Sequence, residues 1–148
     1  MMAEKGMNNN IPDHSTDIRQ YSATALAYLG DAVLELMVRE MLIHTGISSS
    51  GKLNEMAQSY VRATAQSRGA EKLFPHLTEE EKQIYRRGRN AGGSHPKSAT
   101  AVEYRRATGF ETLFGALFIT GQHERARDLF TLFTEMEEPV HDIKPEET

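Results

Sequence analysis

Apolar residues recur at intervals of three and four along most of this chain, which is the spacing of one buried face of an α-helix. The pattern covers five segments, at about 17–43, 52–74, 77–89, 100–120 and 122–136. No segment alternates convincingly with the period of two that is typical of a strand. The sequence therefore predicts an all-α fold.

Local signals set the limits of these helices. Ser15, Thr16 or Asp17 is expected to cap the first helix, and Thr78 with Glu81 forms the Thr-x-x-Glu pattern of a capping box. The segment 88–98, "GRNAGGSHPKS", contains three glycines and a proline and is predicted to be a loop. The last helix is expected to bury one face, which carries Ala126, Leu129, Phe130 and Phe133.

Composition limits the kind of protein. At 148 residues the chain fits one domain, for which we expect a flexible leader at 1–15, a helical domain at 16–136 and an acidic tail at 137–148. The absence of cysteine excludes disulfides and thiolate zinc sites, and no histidines show the HxxxH spacing. There is neither a signal-peptide core nor an apolar run of about 18 residues that suits a membrane span. We expect a soluble cytoplasmic protein with no membrane partner.

Charge is distributed unevenly along the chain. The formal net charge is −4, yet residues 82–106 carry seven basic side chains against one acid, and residues 135–148 carry six acids against one lysine. A local excess of positive charge favours binding of a polyanion. The basic segment is therefore a candidate interface for nucleic acid.

Two apolar helices each carry one acid beside small residues. In "ALAYLGDAVLELMV" (25–38) Asp31 follows Gly30, and in "ATGFETLFGALFIT" (107–120) Glu111 lies between Gly109 and Gly115. We expect both acids to face inward, and small residues allow two helices to approach closely enough for the acids to meet.

Two adjacent carboxylates repel each other unless a cation or a proton lies between them. Mg²⁺ suits such a place, because it takes oxygen ligands and needs only one or two carboxylates besides water and phosphate. The alternative is that each acid pairs with a nearby arginine, such as Arg39 or Arg105.

Several segments resemble the ribonuclease III family. "LAYLGDAVLEL" resembles the signature helix of that family, and "FETLFGALF" resembles a later helix. Together with "RRGRNAG" and "PK", and with "YRRATGFETLFGALF" as the full later segment, they resemble the short bacterial branch called Mini-ribonuclease III, in the same order and at similar spacing. The resemblance covers about residues 20–135.

The resemblance implies a helical endonuclease that depends on Mg²⁺, or on Mn²⁺ as a substitute, and cleaves double-stranded RNA as a homodimer. Asp31 and Glu111 are the residues it assigns to catalysis and to metal binding. It implies maturation of the ends of precursor 23S ribosomal RNA in the cytoplasm, and leaves open whether a ribosomal protein presents the substrate. Because the chain ends about a dozen residues after the last predicted helix, we expect no separate double-stranded-RNA-binding domain.

The sequence also departs from the family pattern. Ala27 and Thr108 stand where the family usually has a glutamate and an aspartate, which puts a full two-metal arrangement in doubt. Glu35, one helical turn after Asp31, is a candidate substitute ligand. The alternative is that Glu35 is a solvated or interface acid.

The basic segment supplies the predicted contacts to RNA, since duplex RNA is recognised mainly through its phosphates and 2′-hydroxyls. The alternative is a solvated helix end and loop, and His95 is a further candidate of uncertain role. The predicted RNA-binding residues are Arg86, Arg87, Arg89, Asn90, Lys97, Arg105 and Arg106.

The first helix is apolar almost all round, so its outer face is expected to meet either the rest of the same chain or a second copy. Two other functions remain open: a non-catalytic RNA-binding or ribosome-associated protein, and a helical adaptor whose acids make only salt bridges.

Overall fold

The computed structural model describes residues 17–91 and 100–136, and its regular structure there is entirely helical. The prediction of an all-α fold is confirmed for these residues. The predicted leader and tail and most of the predicted loop, with His95 and Lys97, lie outside them. The helices are α1 (Ala23–Ile43), α2 (Ser50–Val61), α3 (Ala63–Leu73), α4 (Glu79–Arg89), α5 (Ala101–Ile119) and α6 (His123–Met136), with 3-10 turns at Ile18–Gln20 and Phe74–His76.

Helix α5 is the centre of the fold. It packs along α1, α3, α4 and α6, and from Ala107 to Leu117 nearly every side chain is buried. Phe110 lies between the rings of Phe114 and Phe133, with ring centroids 5.0 Å away in each case. Because α5 is enclosed by four neighbours, an acid on it is held in a fixed position relative to α1.

The predicted start of the first helix is wrong. Asp17 caps the separate 3-10 turn by accepting a hydrogen bond from the Arg19 backbone N–H, and Tyr21 is extended. Helix α1 begins only at Ala23, where the Ser22 hydroxyl accepts a hydrogen bond of 3.0 Å from the Ala25 N–H.

The single helix predicted for 52–74 is two helices. Arg62, with φ −64° and ψ 146°, is extended and separates α2 from α3. The two halves pack on different partners, α2 on α1 and α3 on α5, so the chain has to change direction between them. No glycine or proline marks this break, and helical periodicity continues across it.

The capping box of α4 is confirmed. The Thr78 hydroxyl accepts from the Glu81 N–H at 3.1 Å, and the Glu81 carboxylate accepts from the Thr78 N–H at 2.9 Å. Helix α4 continues through Gly88 and Arg89, so the loop begins two residues later than predicted. The predicted inner face of α6 is also confirmed, because its four named residues are buried.

Helix α1 is buried on one side only. Leu26, Leu34 and Val38 face the core, whereas Tyr28, Leu36 and Ile43 are 85%, 58% and 63% exposed. The apolar character of α1 therefore does not reflect a fully enclosed position within one chain.

In the described ranges, no helix is both long and apolar enough to cross a membrane.

Candidate active site

Helices α1 and α5 touch through their backbones at two glycines. A Cβ atom added to Gly30 would overlap the backbone carbonyl oxygen of Glu111, and one added to Gly115 would overlap that of Leu26. Only glycine permits such an approach, because it brings no side chain to the contact. The expectation that small residues bring the two helices together is confirmed.

This contact places Asp31 and Glu111 at the same crossing. Asp31 directly follows Gly30, whose Cα faces the Glu111 carbonyl. Glu111 is half-buried between the helices, while Asp31 is exposed. The expectation that both acids face inward is therefore wrong for Asp31, which lies at the outer edge of the crossing, on the solvent-exposed side of α1.

The charge of Asp31 affects the ionisation of Glu111. Burial, and then the negative charge of Asp31, raise the pKa of Glu111 to about 8. Partial burial, and then the charge of Glu35, raise the pKa of Asp31 above its ordinary value. Glu111 therefore binds its proton more strongly than an ordinary carboxyl group, because ionising it would place a second negative charge beside Asp31.

No protein cation balances this pair among the residues that the structure describes. Arg39 pairs with Glu35 at 2.9 Å rather than with Asp31, and Arg105 makes no ion pair with Glu111. The salt-bridge alternative for the two acids is thus not observed in this part of the chain. The carboxylate of Glu35 is thus already paired with Arg39.

The donor set suits a hard divalent cation of the Mg²⁺ type. Asp31 and Glu111 offer carboxylate oxygens whose mutual repulsion a cation would relieve. Within residues 17–91 and 100–136 no cluster of three or more metal-ligating side chains occurs. Two carboxylates suffice when water and a substrate phosphate complete the coordination.

The two positions that depart from the family pattern add no ligand. Ala27 is buried in the α1 side of the interface. Thr108 donates its hydroxyl hydrogen to the Tyr104 carbonyl at 2.9 Å, within α5. The described site therefore rests on one acid from each helix.

Four of the predicted RNA-binding residues lie together. Arg89 and Asn90, at the end of α4, and Arg105 and Arg106, in the second turn of α5, line a cleft of about 460 Å³ with Val102. Arg106 pairs with Glu71 at 2.7 Å, and Arg89 donates to the Asn90 side chain at 3.3 Å. Arg105 is exposed in this cleft.

Two others lie on different sides of α4. The Arg86 guanidinium stacks over the Phe74 ring, 5.3 Å from its centroid, and remains exposed. Arg87 donates to the carbonyl oxygens of Ile18 and Tyr21, which ties α4 to the segment before α1. The structure therefore describes six of the seven predicted residues and brings four of them together.

Sequence reasoning missed the outer face of α1 as part of the site. A groove of about 490 Å³ runs along this face and contains Asp31 and Glu35 beside Tyr28 and Leu36. Tyr28, Leu36 and Ile43 follow one another at seven or eight residues, the spacing of one helix face. That spacing was available in the sequence, but the apolar residues on the opposite side of α1 concealed it.

Comparison with known proteins matches the chain to one family. Residues 24–122 match the Ribonuclease III domain. The Mini-ribonuclease 3 of Desulfitobacterium hafniense is 47% identical over 107 residues, covering 72% of this chain and 68% of the relative, and that of Symbiobacterium thermophilum is 49% identical over 105 residues, covering 70% and 81%. A crystal structure of a Fusobacterium nucleatum protein is 34% identical and superposes with a TM-score of 0.75 over 82% of this chain and 98% of the other. On this similarity, and on the crossing that carries the two acids, the chain belongs to the ribonuclease III family, among the Mini-ribonuclease 3 proteins, and is an endoribonuclease.

Proposed function

We propose that this endoribonuclease cleaves double-stranded RNA with Mg²⁺ held by Asp31 and Glu111. The observation that carries the proposal is the backbone contact at Gly30, which brings one acid from α1 and one from α5 to a point where the charge of Asp31 raises the pKa of Glu111. Neither acid has a protein cation as partner in the described residues. A pair of this kind is stabilised by a divalent ion.

Each of the two acids has its own task. Glu111, half-buried on the rigid central helix, fixes the position of the site, and Asp31, exposed on α1, keeps it open to substrate. When bound, Mg²⁺ lowers the pKa of a coordinated water and offsets the charge that develops on the phosphate oxygens during hydrolysis. Mn²⁺ takes similar oxygen ligands and is the expected substitute.

The cleft between the end of α4 and the start of α5 is the proposed contact to RNA. Two of its arginines, Arg106 and Arg105, precede Glu111 on α5 by five and six residues, a distance along the helix of about 8 Å. Positive charge so close to the acids favours a phosphate backbone that passes over both. Arg86, Arg87 and Lys97 complete the set that we assign to RNA.

We further propose that the protein is a homodimer formed through the outer face of α1. This face combines Tyr28, Leu36 and Ile43, which are all more than half exposed, and exposed apolar residues along one helix face favour association. In a two-fold dimer two sites are present, one for each strand of a duplex. Because Asp31 lies in the same groove, the second copy would also form one wall of the site.

The biological role we propose is maturation of the ends of precursor 23S ribosomal RNA in the cytoplasm. The support is the likeness to Mini-ribonuclease 3 proteins, together with the basic cleft. A ribosomal protein that presents this RNA would be a further partner.

The test is incubation of end-labelled duplex RNA with the protein, with and without Mg²⁺. We expect cleavage only with Mg²⁺, and loss of cleavage in Asp31→Asn and Glu111→Gln with the fold intact by circular dichroism. Glu55→Gln, an exposed acid on α2, is the matched control and keeps full activity. Full activity in either site variant would remove that residue from the mechanism, and duplex binding without cleavage by the wild type would contradict the proposed reaction.

Oligomeric state is tested separately by light scattering on the purified protein. We expect a dimer for the wild type and a monomer for Tyr28→Ser combined with Leu36→Ser. Val102→Ser, which changes an exposed apolar residue on α5 instead, is expected to leave the dimer intact. A monomeric wild type would contradict the assignment of the α1 face.

A further inference from the structure

Helices α4 and α5 meet at a second glycine contact, distinct from the crossing that holds the two acids. A Cβ added to Gly88 would overlap the Thr112 hydroxyl and lie 2.6 Å from the Thr112 Cβ and 2.9 Å from the Gly109 Cα. A Cβ added to Gly109 would lie 2.7 Å from the backbone oxygen and the ring of Tyr85. Both helices therefore contribute a glycine to this junction, and neither has room for a methyl group.

Thr112 connects the junction to α1. It is fully buried, its hydroxyl donates to the Thr108 carbonyl at 2.7 Å, and the same oxygen lies 3.4 Å from the carbonyl of Ala23, the first residue of α1. A buried hydroxyl with these neighbours has little freedom to move aside. The three helices α1, α4 and α5 are thus locked together at this point.

The position of the junction along the chain gives it a consequence for function. Gly88 lies between Arg87 and Arg89 on α4, and Thr112 directly follows Glu111 on α5. The contact between Gly88 and Thr112 therefore lies between the basic end of α4 and the part of α5 that carries Glu111.

We propose that Gly88 is a positioning residue: its missing side chain sets the distance between the RNA-contacting end of α4 and the acid pair, and so selects which phosphate of the duplex reaches the metal. This inference rests on the proposed function, since it assumes that the basic end of α4 contacts RNA. It adds a residue that touches neither metal nor RNA to those that determine the cleavage position.

The size of the expected effect follows from the overlap. Because ordinary contacts between a Cβ and another heavy atom exceed 3 Å, a methyl group at Gly88 must displace α4 from α5 by about 1 Å or more. A displacement of about 1 Å between a bound group and the reacting centre lowers catalysis by up to about 100-fold. Affinity for the duplex should change little, since every arginine and both acids remain.

The experiment compares Gly88→Ala with Gly69→Ala on a duplex of defined sequence, at a temperature where circular dichroism shows both variants folded. Gly69 is the control for overpacking elsewhere in the core, because its added Cβ would overlap the Phe133 ring on α6 and would make only an ordinary contact, at 3.6 Å, with the Phe110 ring of α5. The readouts are kcat, KM, the cleavage position at single-nucleotide resolution, and the affinity for the duplex by filter binding in Ca²⁺.

We expect Gly88→Ala to lower kcat 10- to 100-fold with KM nearly unchanged and to shift the cleavage position, while Gly69→Ala keeps the wild-type kcat and position. The double variant Gly88→Ala with Thr112→Gly, which removes the overlapped side chain, should recover part of the kcat. If Gly88→Ala is not folded, Thr112→Ala is used instead, because it changes the residue on α5 that Gly88 contacts. We expect a several-fold loss of kcat and a shifted cleavage position in this variant.

Wild-type kcat and cleavage position in the folded variant would overturn the inference and leave the proposed function intact. Equal losses in Gly88→Ala and Gly69→Ala would also overturn it, because they would reflect general loosening. Absence of Mg²⁺-dependent cleavage by the wild type would instead refute the proposed function itself.

Discussion

Gly30 contacts the backbone of Glu111 directly: a Cβ on Gly30 would overlap the Glu111 carbonyl oxygen and lie 2.9 Å from the backbone nitrogen of Gly115. The acid on α5 is thus held against α1 by main-chain atoms, which cannot rotate away as a side chain can. The separation of α1 and α5 at this point is therefore set by the backbone.

The first prediction concerns this contact. Gly30→Ala forces α1 and α5 apart, and because the overlapped atom is a main-chain oxygen, we expect a loss of about 3 kcal/mol in the free energy of unfolding, at the upper end for overpacked cores. Urea unfolding followed by circular dichroism measures this loss. Gly51→Ala on α2, where the added Cβ would only approach the Ser49 hydroxyl at 3.8 Å, should lose nothing. Equal free energies of unfolding for the two variants would contradict the prediction, because they would show that α1 and α5 move apart at little cost.

Glu111 supplies the second prediction, through its raised pKa. Between the ordinary carboxyl value and a pKa of about 8, the folded protein binds more protons than the unfolded one, so stability without a divalent cation should fall as pH rises through this range. Glu111→Gln should remove most of that fall. Melting temperatures from pH 5 to pH 9 in a chelating buffer provide the measurement, with Glu55→Gln as control.

Mg²⁺ should oppose the loss of stability at high pH, because its binding requires the ionised carboxylates and so releases a proton. We expect the increase in melting temperature on adding Mg²⁺ to be larger at pH 8 than at pH 6 for the wild type and absent in Asp31→Asn. An increase that is the same at both pH values would argue against Glu111 as a ligand.

Features of this fold that depend on residues close together in the chain were predicted from the sequence, and features that depend on tertiary packing were not. The capping box at Thr78 and Glu81, the inner face of α6 and the span of α5 were all predicted correctly, because each depends on neighbours within a few residues. The break at Arg62 was not, because it is imposed by two different packing partners and has no signature of its own.

The site shows the same limit. Glycines beside Asp31 and Glu111 correctly indicated a close approach of the two helices, since small residues have few other uses within apolar helices. Whether Asp31 faces the core or the solvent depends on where α5 packs against α1, and that is a tertiary property. Similarly, nothing in the run of arginines distinguished Arg87, which holds two backbone carbonyls, from Arg105, which is exposed.

A third prediction concerns the pair of Glu81 and Arg125, which joins the start of α4 to α6 at 2.8 Å. Burial alone would raise the pKa of Glu81, but the hydrogen bonds from Arg125 and Thr78 outweigh it and lower the pKa. Arg125→Met leaves the buried Glu81 carboxylate without its cationic partner, and we expect a loss of about 2 kcal/mol in the free energy of unfolding. This loss is smaller than for a fully buried pair, because Arg125 is partly exposed.

The pH dependence gives this pair a second test. A lowered pKa in the folded state contributes stability above the ordinary carboxyl pKa, and that stability is lost as pH falls through the folded value. The wild type should therefore lose more stability than Arg125→Met between pH 6 and pH 3. Arg127→Ala, which breaks the exposed pair with Glu40, is the control and should cost less than about 1 kcal/mol.

The last prediction separates the arginines by the contacts they make. Arg105 is exposed in the basic cleft, so Arg105→Ala should reduce the slope of log K against log salt for duplex RNA by about 1, as expected for one lost phosphate contact, with the melting temperature unchanged. Arg87 holds the carbonyls of Ile18 and Tyr21, so Arg87→Ala should lower the melting temperature. Filter binding in Ca²⁺ at several salt concentrations measures the slopes without relying on cleavage. An unchanged slope in Arg87→Ala would remove that residue from the proposed RNA contacts, whereas a reduced slope would mean that its guanidinium leaves the two carbonyls when RNA binds.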